Sequence, residues 1–440
     1  MPASVGTPVE PAITTVAALR AAVTDEMNRC PVLDIHTHLY TPAFGGLLLW
    51  GVDELLIYHY LIAEVMRTAP SDSSGPITIE RFYGLSKPAQ ADLIWNQLFL
   101  ERSPLSEACR GVVTTLNRLG LDVRRRDLPS LRQWFAAQKP EAYIDRVLQV
   151  AGVRRLIMTN VPFDPAEKPT WDAGYSVGND PRFQGVLRID PIMRFWDTPR
   201  TGGAARLAEW GYAATPELTA ASMDACRKFL HDWCDKTSAV YMACSLPPSF
   251  RYPAEAGPNA ITTQILRQAV LPVCRERGIP QALMIGSKLA VNPSYGLAGD
   301  AVGKSDVESV EALCREFPQN KFLLTMLSRE NQHELAVLAR KFANLHVFGC
   351  WWFLNNPSLV EEITRMRIEL LGLSVTPQHS DARVLDQLIY KWDHSRGILG
   401  RVLADKYTDL LEAGWHVTRA EISRDVAMLL GGSFEAWLKS

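Results

Sequence analysis

The sequence predicts an α/β protein, a (β/α)8 barrel with a largely helical insertion after its first strand. From residue 150 onward, short apolar runs alternate with helical segments, and one further apolar run begins at Val32. Alternation of this kind predicts a parallel sheet, and eight units suggest closure into a barrel. The Pro- and Gly-rich segments mostly follow strand ends, where a barrel keeps its active site. A doubly wound open sheet is the alternative, but no GxGxxG-type phosphate loop follows the first strand.

The predicted strands are apolar runs bounded by turns or helices. After the run at Val32 they are 154–160, 183–190, 239–246, 281–286, 321–327, 345–352 and 373–378. Helical periodicity predicts the intervening helices 217–236, 261–277, 306–316, 329–343 and 357–371. A last helix begins with a capping box at Thr418 and Glu421 and ends at Gly431.

We expect one catalytic domain with three parts. Residues 1–46 form the N-terminal segment and the first barrel strand. Residues 47–149 show helix signals and almost no strands, which predicts the insertion. Residues 150–440 complete the barrel.

Composition excludes several classes of protein. The chain has 440 residues and a formal net charge of −2, so nothing favours nucleic acid as a partner. Three carboxylates interrupt the most apolar segment, which argues against a membrane helix. The N-terminus lacks a signal sequence, and the eight cysteines are scattered without a CxxC pair, so we expect a cytoplasmic protein. No feature marks a subunit interface, and a homo-oligomer is left open.

The segment VLDIHTHLY suggests a metal site at the end of the first strand. His36 and His38 are two residues apart, so they project from the same face, with Asp34 on the same side. The last predicted strand runs into His379, Asp381 and Arg383, and the first and last strands of a closed barrel are neighbours. Two imidazoles and the Asp381 carboxylate would leave open positions on a divalent ion, as a catalytic site requires. The alternative is a pair of hydrogen-bonded histidines at a strand end.

These motifs resemble those of a known superfamily. DIHTH on the first strand and an aspartate at the end of the last are similar to the amidohydrolase superfamily, and the likeness to its uronate (glucuronate) isomerases is closer. The resemblance covers residues 34 to about 396. It rests on WGVDELLIYHYLIAEVMR, MTNVPFDP, LRIDP, LSRENQHELAVLARKF, FGCWWFLNNPS and HSDARVLDQLIYKW.

The resemblance implies roles for individual residues. His36, His38 and Asp381 would hold a divalent metal ion, with zinc as the expected ion. Asp381 would also be the acid/base, with Arg383 and Tyr60 around the reacting oxygen. The remaining implied residues bind a small-molecule sugar acid: Arg188, His59 and Trp352.

The chemistry of aldose–ketose isomerisation fits these residue types. One acid/base must move a proton between C2 and C1 of a hexuronate, and cationic groups must stabilise an enediol. Asp381 and Arg383 supply both within one short segment. Many family members have a histidine on the fifth strand where this chain has Met284. A mononuclear metal hydrolase, such as a sugar-acid lactonase, is the alternative, although strands 5 and 6 lack the histidines it would use. A non-enzymatic sugar-acid-binding protein is a third class.

Overall fold

Seven parallel strands form one sheet in the computed structural model, which describes residues 11–440. The segment 1–10, which holds most of the N-terminus predicted to lack a signal sequence, lies outside the described residues. The strands lie side by side in chain order, and we number them β1 to β7: Val32–Thr37, Val153–Asn160, Phe183–Arg188, Met242–Leu246, Gln281–Ile285, Phe322–Met326 and Leu345–Val347. Each coincides with a predicted apolar run, and β7 is the one most shortened, ending five residues before the predicted end.

The predicted eighth strand is not a strand in the structure. Thr376 makes an isolated parallel bridge to Phe348, and the chain then continues without ladder pairing as far as an isolated bridge at Val384. Pro377, inside the predicted strand, has no N–H to donate to a ladder, and beyond it Asp381 has φ +52°, so the chain does not continue as a strand.

The segment 376–382 nevertheless hydrogen-bonds to both edges of the sheet. The Thr376 N–H donates to the Val347 carbonyl at 3.1 Å, while the Asp381 N–H donates to the His36 carbonyl at 3.1 Å. Because one short segment reaches both β7 and β1, the sheet must curl. The structure therefore has a curled seven-stranded parallel sheet whose gap is spanned by an irregular segment.

Helices precede, interrupt and follow the strands. Residues 47–149 hold helices and one short hairpin, formed by Ser71–Asp72 and Gly75–Pro76. A second hairpin, Ser287–Lys288 with Ala301–Val302, follows β5. The α-helices are Val16–Arg29, Val52–Leu56, His59–Met66, Ile79–Tyr83, Lys87–Trp95, Glu107–Arg118, Leu128–Ala136, Pro140–Ala151, Lys168–Asp172, Asp190–Arg194, Gly203–Glu209, Ala220–Thr237, Pro258–Ile265, Leu271–Arg277, Glu308–Glu316, Gln332–Ala339, Pro357–Leu371, Gln387–Glu412, Arg419–Ala427 and Ser433–Lys439.

Two helices show how local signals and packing combine. The capping box predicted at Thr418 and Glu421 is present, with both of its hydrogen bonds formed. The longest helix, Gln387–Glu412, was not among the predicted helices, and its buried face packs against the helices Val16–Arg29, Glu107–Arg118 and Pro140–Ala151. It therefore ties the N-terminal helix and the 47–149 region to the sheet.

Side chains fill the interior of the curled sheet. Alternate strand residues such as Ile35, Ile157 and Leu323 form one buried cluster, which Phe434 of the C-terminal helix joins. Beyond this apolar cluster, His36, Arg188 and Ser245 lie at the carboxyl ends of their strands, where the candidate site is found. Among residues 11–440, no helix is both long and apolar enough to cross a bilayer.

Candidate active site

Three metal-ligating side chains converge where β1 meets the segment after β7. His36 lies near the end of β1, His38 follows it, and Asp381 lies in the irregular segment. The Asp381 Oδ1 atom is 3.6 Å from His36 Nε2 and 3.2 Å from His38 Nε2. One ligand atom from each residue lies within 4.8 Å of the others. Asp34, predicted on the same side, is not part of this group.

The Nε2 atoms of both histidines face Asp381, and hydrogen bonds at the opposite ring nitrogens, Nδ1, determine the tautomer of each imidazole. Thr159 Oγ1 donates to the Thr37 carbonyl at 2.9 Å, so at 3.0 Å it can only accept from His38 Nδ1–H. Tyr241 likewise donates to the Ile35 carbonyl at 2.7 Å, with His36 Nδ1 3.4 Å from its oxygen. Both Nε2 atoms therefore carry lone pairs that face a carboxylate oxygen.

Burial favours the ligand forms of these groups. The pKa of His38 is lowered to about 4, first by burial and then by the charge of Arg383. Burial, followed by the charge of His379, also lowers the pKa of His36 well below its ordinary value. Burial acts to raise the pKa of Asp381, but when the histidines are protonated, a hydrogen bond from His38 and their positive charges outweigh it and hold the pKa below the usual range. Neutral imidazoles and an ionised carboxylate bind a cation without first losing protons.

Asp34 holds the segment that carries Asp381. Its Oδ1 accepts the Ser380 N–H at 3.1 Å, and its Oδ2 accepts the Trp392 Nε1–H at 2.8 Å. It is fully buried, and burial raises its pKa. This role was missed in the sequence because it joins the first strand to a helix that begins more than 350 residues later.

Two adjoining cavities open at this end of the sheet. The larger, of about 630 Å³, is bounded by residues of the 40–62 region, and the smaller, of about 270 Å³, lies towards the ends of β3 to β7. His38, Arg188 and Arg383 line both cavities, so the cluster stands between them. A third cavity, of about 790 Å³, lies beside the C-terminal helix and near the start of β7, away from this chemistry.

The two predicted arginines at the cavities differ in whether their guanidinium groups already pair with a carboxylate. Arg383 makes no ion pair within residues 11–440, not even with Asp381, and its guanidinium lies close enough to Tyr58 to influence the pKa of that hydroxyl. Arg188 is already paired. Its Nε and Nη2 donate to Asp190 at 2.8 and 3.2 Å, and Nη2 also donates to Ser245 Oγ at 2.8 Å.

The aromatic residues predicted for the sugar pocket divide between the cavities. His59 lines the larger one, and burial lowers its pKa to about 3. Trp352 lines the smaller one, at φ +49° in a short 3-10 turn beyond β7. Tyr60 lines neither, but its buried hydroxyl has no partner in the described chain. Tyr58, which is not among the predicted site residues, lines the larger cavity beside Arg383.

His379 and Met284 complete the surroundings of the cluster. The ring centroid of His379 lies 5.2 Å from that of His36, and neither of its buried ring nitrogens has a partner among the described residues. Met284, where a histidine was expected from the resemblance, lies on β5 and lines the smaller cavity. It places an apolar side chain beside the cluster and offers no strong ligand.

Comparisons with known proteins bear on this site. No family model matches the chain, and no curated protein matches it. The chain is similar to a solved uronate isomerase from Bacillus halodurans C-125, with 50% identity, a TM-score of 0.92, and coverage of 97% of this chain and 98% of that one. It resembles a uronate isomerase from Thermotoga maritima at 16% identity over 96% and 97% of the two chains, with a TM-score of 0.76. A glucuronate isomerase from Caulobacter crescentus matches at 15% identity over 98% and 95%, with a TM-score of 0.73. The last two likenesses show a shared fold.

Proposed function

Because the chain belongs to the uronate isomerase family, we infer that it is an enzyme that interconverts the aldose and ketose forms of hexuronates. D-glucuronate with D-fructuronate and D-galacturonate with D-tagaturonate are the two pairs that this reaction covers. The observation that carries the proposal is the convergence of Asp381, Arg383 and the two histidines at a cavity that also holds Arg188.

We propose that His36, His38 and Asp381 hold one divalent metal ion, with zinc as the expected ion. The fit rests on three acceptor atoms that face one another, since His36 Nε2 and Asp381 Oδ1 are buried with no hydrogen-bond partner among residues 11–440. Two imidazoles and one carboxylate suit zinc and leave positions for substrate oxygens. When bound, such an ion polarises a substrate hydroxyl or carbonyl oxygen.

We assign the proton transfer to Asp381. The pKa of its carboxyl group lies below the usual range, which favours the ionised, basic form. After removing the proton from C2, the same carboxyl group can return it to C1 of the enediol. The Arg383 guanidinium, which has no carboxylate partner among residues 11–440, stabilises the negative charge that develops on the substrate oxygen.

Tyr60 is our proposed hydroxyl donor near the reacting oxygen. Its hydroxyl has no partner in the described chain, and burial raises its pKa well above the ordinary value, with the charges of Tyr58 and Asp381 adding to the effect. It therefore stays protonated and can donate. His59 and Trp352 are proposed as walls of the sugar pocket, since each lines one cavity.

The metal-hydrolase alternative gains no support from the described residues. Its further histidine ligands would come from the ends of β5 and β6, where Met284 and Leu327 lie instead. The candidate ligand group found in residues 11–440 has three members only. An attacking water would then be activated by a poorer ligand set than such hydrolases use.

We also propose how the barrel is completed, how the domain is organised and in which compartment the protein works. The 376–382 segment would take the eighth position of a barrel, because it bonds to both edges of the sheet. The helices of 47–149 would be an insertion in a single catalytic domain. All eight cysteines are unpaired, which favours a reducing compartment such as the cytoplasm. The absence of a nucleic-acid partner stays a proposal from the net charge, and a homo-oligomer stays open.

Proton NMR in D2O tests the function directly. Purified protein is incubated separately with D-glucuronate and with D-galacturonate. We expect ketose signals from at least one sugar, with deuterium at the exchanging carbon. If neither sugar changes while a panel of sugar lactones is hydrolysed, the hydrolase alternative replaces this proposal.

A further inference from the structure

One segment crosses the carboxyl end of the sheet from β5 towards the helices that follow β1. It consists of residues 287–302, which we call the strap, and it includes the hairpin that follows β5. Its 3-10 turn, Pro293–Gly299, packs against the helices His59–Met66 and Ile79–Tyr83. Because β1 is an edge strand and β5 lies four positions further along the curled sheet, the strap spans the end at which the candidate site lies.

The strap lines both cavities of the candidate site. Gly296 and Ala298 line the larger cavity, and Leu289 and Asp300 line the smaller one. Leu297 lines both, yet 57% of its surface is exposed, so it stands at the rim between the cavities and solvent. An outward movement of the strap therefore widens the openings of both cavities together.

The strap is held together by its own hydrogen bonds. Near its tip the Asn292 N–H donates to the Gly299 carbonyl at 3.1 Å. At its base the Gly303 N–H donates to the Gly286 carbonyl at 3.0 Å, so the two ends of the segment lie side by side. A compact loop with adjoining ends and internal bonds can move about its base as one unit, without breaking the bonds that shape it.

The attachment of the strap to the rest of the molecule is weak. Within residues 11–440 a single hydrogen bond joins them, from the Tyr83 hydroxyl to the Tyr295 carbonyl at 2.6 Å, and this bond is exposed to solvent. Tyr83 itself lines the larger cavity, and the partly buried Tyr295 packs against apolar side chains of the neighbouring helices. Of residues 288–302 only Gly299 is buried. A segment with so few buried residues and one exposed bond opens at a low cost in free energy.

We propose that the strap is a lid that opens to admit the hexuronate and to release the product, and that the hydrogen bond from Tyr83 to the Tyr295 carbonyl is the latch that holds it closed. In the closed position the strap limits the access of bulk water to the candidate site, which strengthens the electrostatic interactions there. The identity of the ligand rests on the proposed function, whereas the opening of the strap does not.

Amide hydrogen exchange of residues 288–302 in Tyr83→Phe tests the latch. Tyr83 is 44% exposed, so its replacement leaves the fold intact. Loss of one hydrogen bond predicts that the amides of the strap exchange about 3- to 10-fold faster than in the wild type. Tyr295→Phe is the matched control, because it removes a hydroxyl and keeps the carbonyl that accepts the bond. Unchanged exchange in Tyr83→Phe, or equal acceleration in both variants, overturns the latch.

Stopped-flow binding of D-glucarate tests the lid, since this sugar diacid has no reacting carbonyl. The latch is present in the closed state with and without ligand, so Tyr83→Phe should raise the association and dissociation rate constants by the same factor of about 3 to 10 and leave Kd unchanged. Wild-type rate constants in a variant that turns over hexuronates overturn the lid alone, as does a change confined to Kd. Faster exchange of the strap in a protein that neither binds D-glucarate nor converts a hexuronate contradicts the proposed function and supports the opening of the strap.

Discussion

Two imidazole nitrogens face one carboxylate oxygen at 3.2 and 3.6 Å, and a cation between them would satisfy all three atoms. Without one, lone pairs oppose each other in a buried space, which costs free energy. A divalent ion satisfies all three atoms together. The residues around the cluster therefore support both the proposed metal site and the chemistry proposed for Asp381.

Loss of either histidine should reduce the metal content. In His36→Asn and His38→Asn we expect the metal bound per chain to fall by about 10-fold or more at equal free metal, since each removes one of three ligands. Metal analysis of dialysed protein measures this. His333→Asn, at an exposed histidine, is the control and should keep the wild-type content. Retention of metal by both ligand variants would contradict the site.

Replacement of Asp381 by Asn should stop proton transfer and leave the fold intact. Asn tolerates the φ of +52° and matches the volume, but it cannot accept the C2 proton. We expect kcat to fall by at least about 10²- to 10⁴-fold. The loss of deuterium incorporation by NMR measures it, with the exposed Asp224→Asn as control. Near wild-type turnover in Asp381→Asn would remove Asp381 as the base.

At the scale of elements, the segment 376–382 is held by individual hydrogen bonds and side-chain packing instead of by strand pairing. Backbone hydrogen bonds hold its two ends, and the buried Asp34 holds its middle through Ser380. Gly349 gives the segment room, since a Cβ there would lie 1.7 Å from His379 Nδ1. The geometry of Asp381 thus depends on residues that never touch the substrate.

Asp34→Asn tests this support. The carboxylate accepts the N–H groups of His36 and Ser380 on Oδ1 and that of Trp392 on Oδ2, whereas the amide has one oxygen and its NH2 then faces a donor. We expect the free energy of unfolding to fall by about 1–3 kcal/mol, and kcat to fall while the three metal ligands remain in place. Denaturant titration and turnover measure the two effects. Wild-type stability and kcat together would show that Asp34 does not position the segment.

Gly349→Ala tests the space beside His379. Gly349 has φ +65°, so Ala adds backbone strain to the steric clash, and we expect a loss of more than about 2 kcal/mol in unfolding free energy. Gly278→Ala is the matched control, because Gly278 has the same φ with no atom within 4 Å of the added Cβ. It should cost only about 1 kcal/mol. Equal losses in the two variants would speak against the close packing at His379.

At the scale of the whole molecule, the candidate active site lies at the carboxyl ends of the strands, and the C-terminal helix packs near their amino ends. There, His346 at the start of β7 stacks on Trp437 of the C-terminal helix, with ring centroids 5.1 Å apart. Its Nε2 is 2.9 Å from Thr376 Oγ1. One buried histidine, His346, therefore joins β7 to the C-terminal helix and to the segment 376–382.

This histidine should make global stability depend on pH. Burial, and then the charge of Arg367, lowers the pKa of His346 from 6.5 to about 3. Between these values the unfolded chain binds a proton that the folded chain does not, so acidification favours unfolding. We expect the stability difference between wild type and His346→Gln to shift against the wild type by about 1.4 kcal/mol per pH unit below 6.5. Denaturant titrations at several pH values measure it. A difference that does not change with pH would mean that His346 titrates normally.

The sequence by itself determined the seven strands, the pairing of His36 with His38 and the approach of Asp381. These features come from local signals: apolar runs of strand length, the two-residue alternation of a strand, and the adjacency of chain ends in a curled parallel sheet. The capping box at Thr418 was predictable for the same reason, since its two partners are three residues apart.

Only the tertiary structure decided the rest. Arg188 and Ser245 are 57 residues apart, and Asp34 and Trp392 are 358 apart, so neither pairing leaves a mark on the local sequence. Burial and hydrogen-bond satisfaction are properties of the whole packed chain, because each depends on which distant groups arrive at the same place.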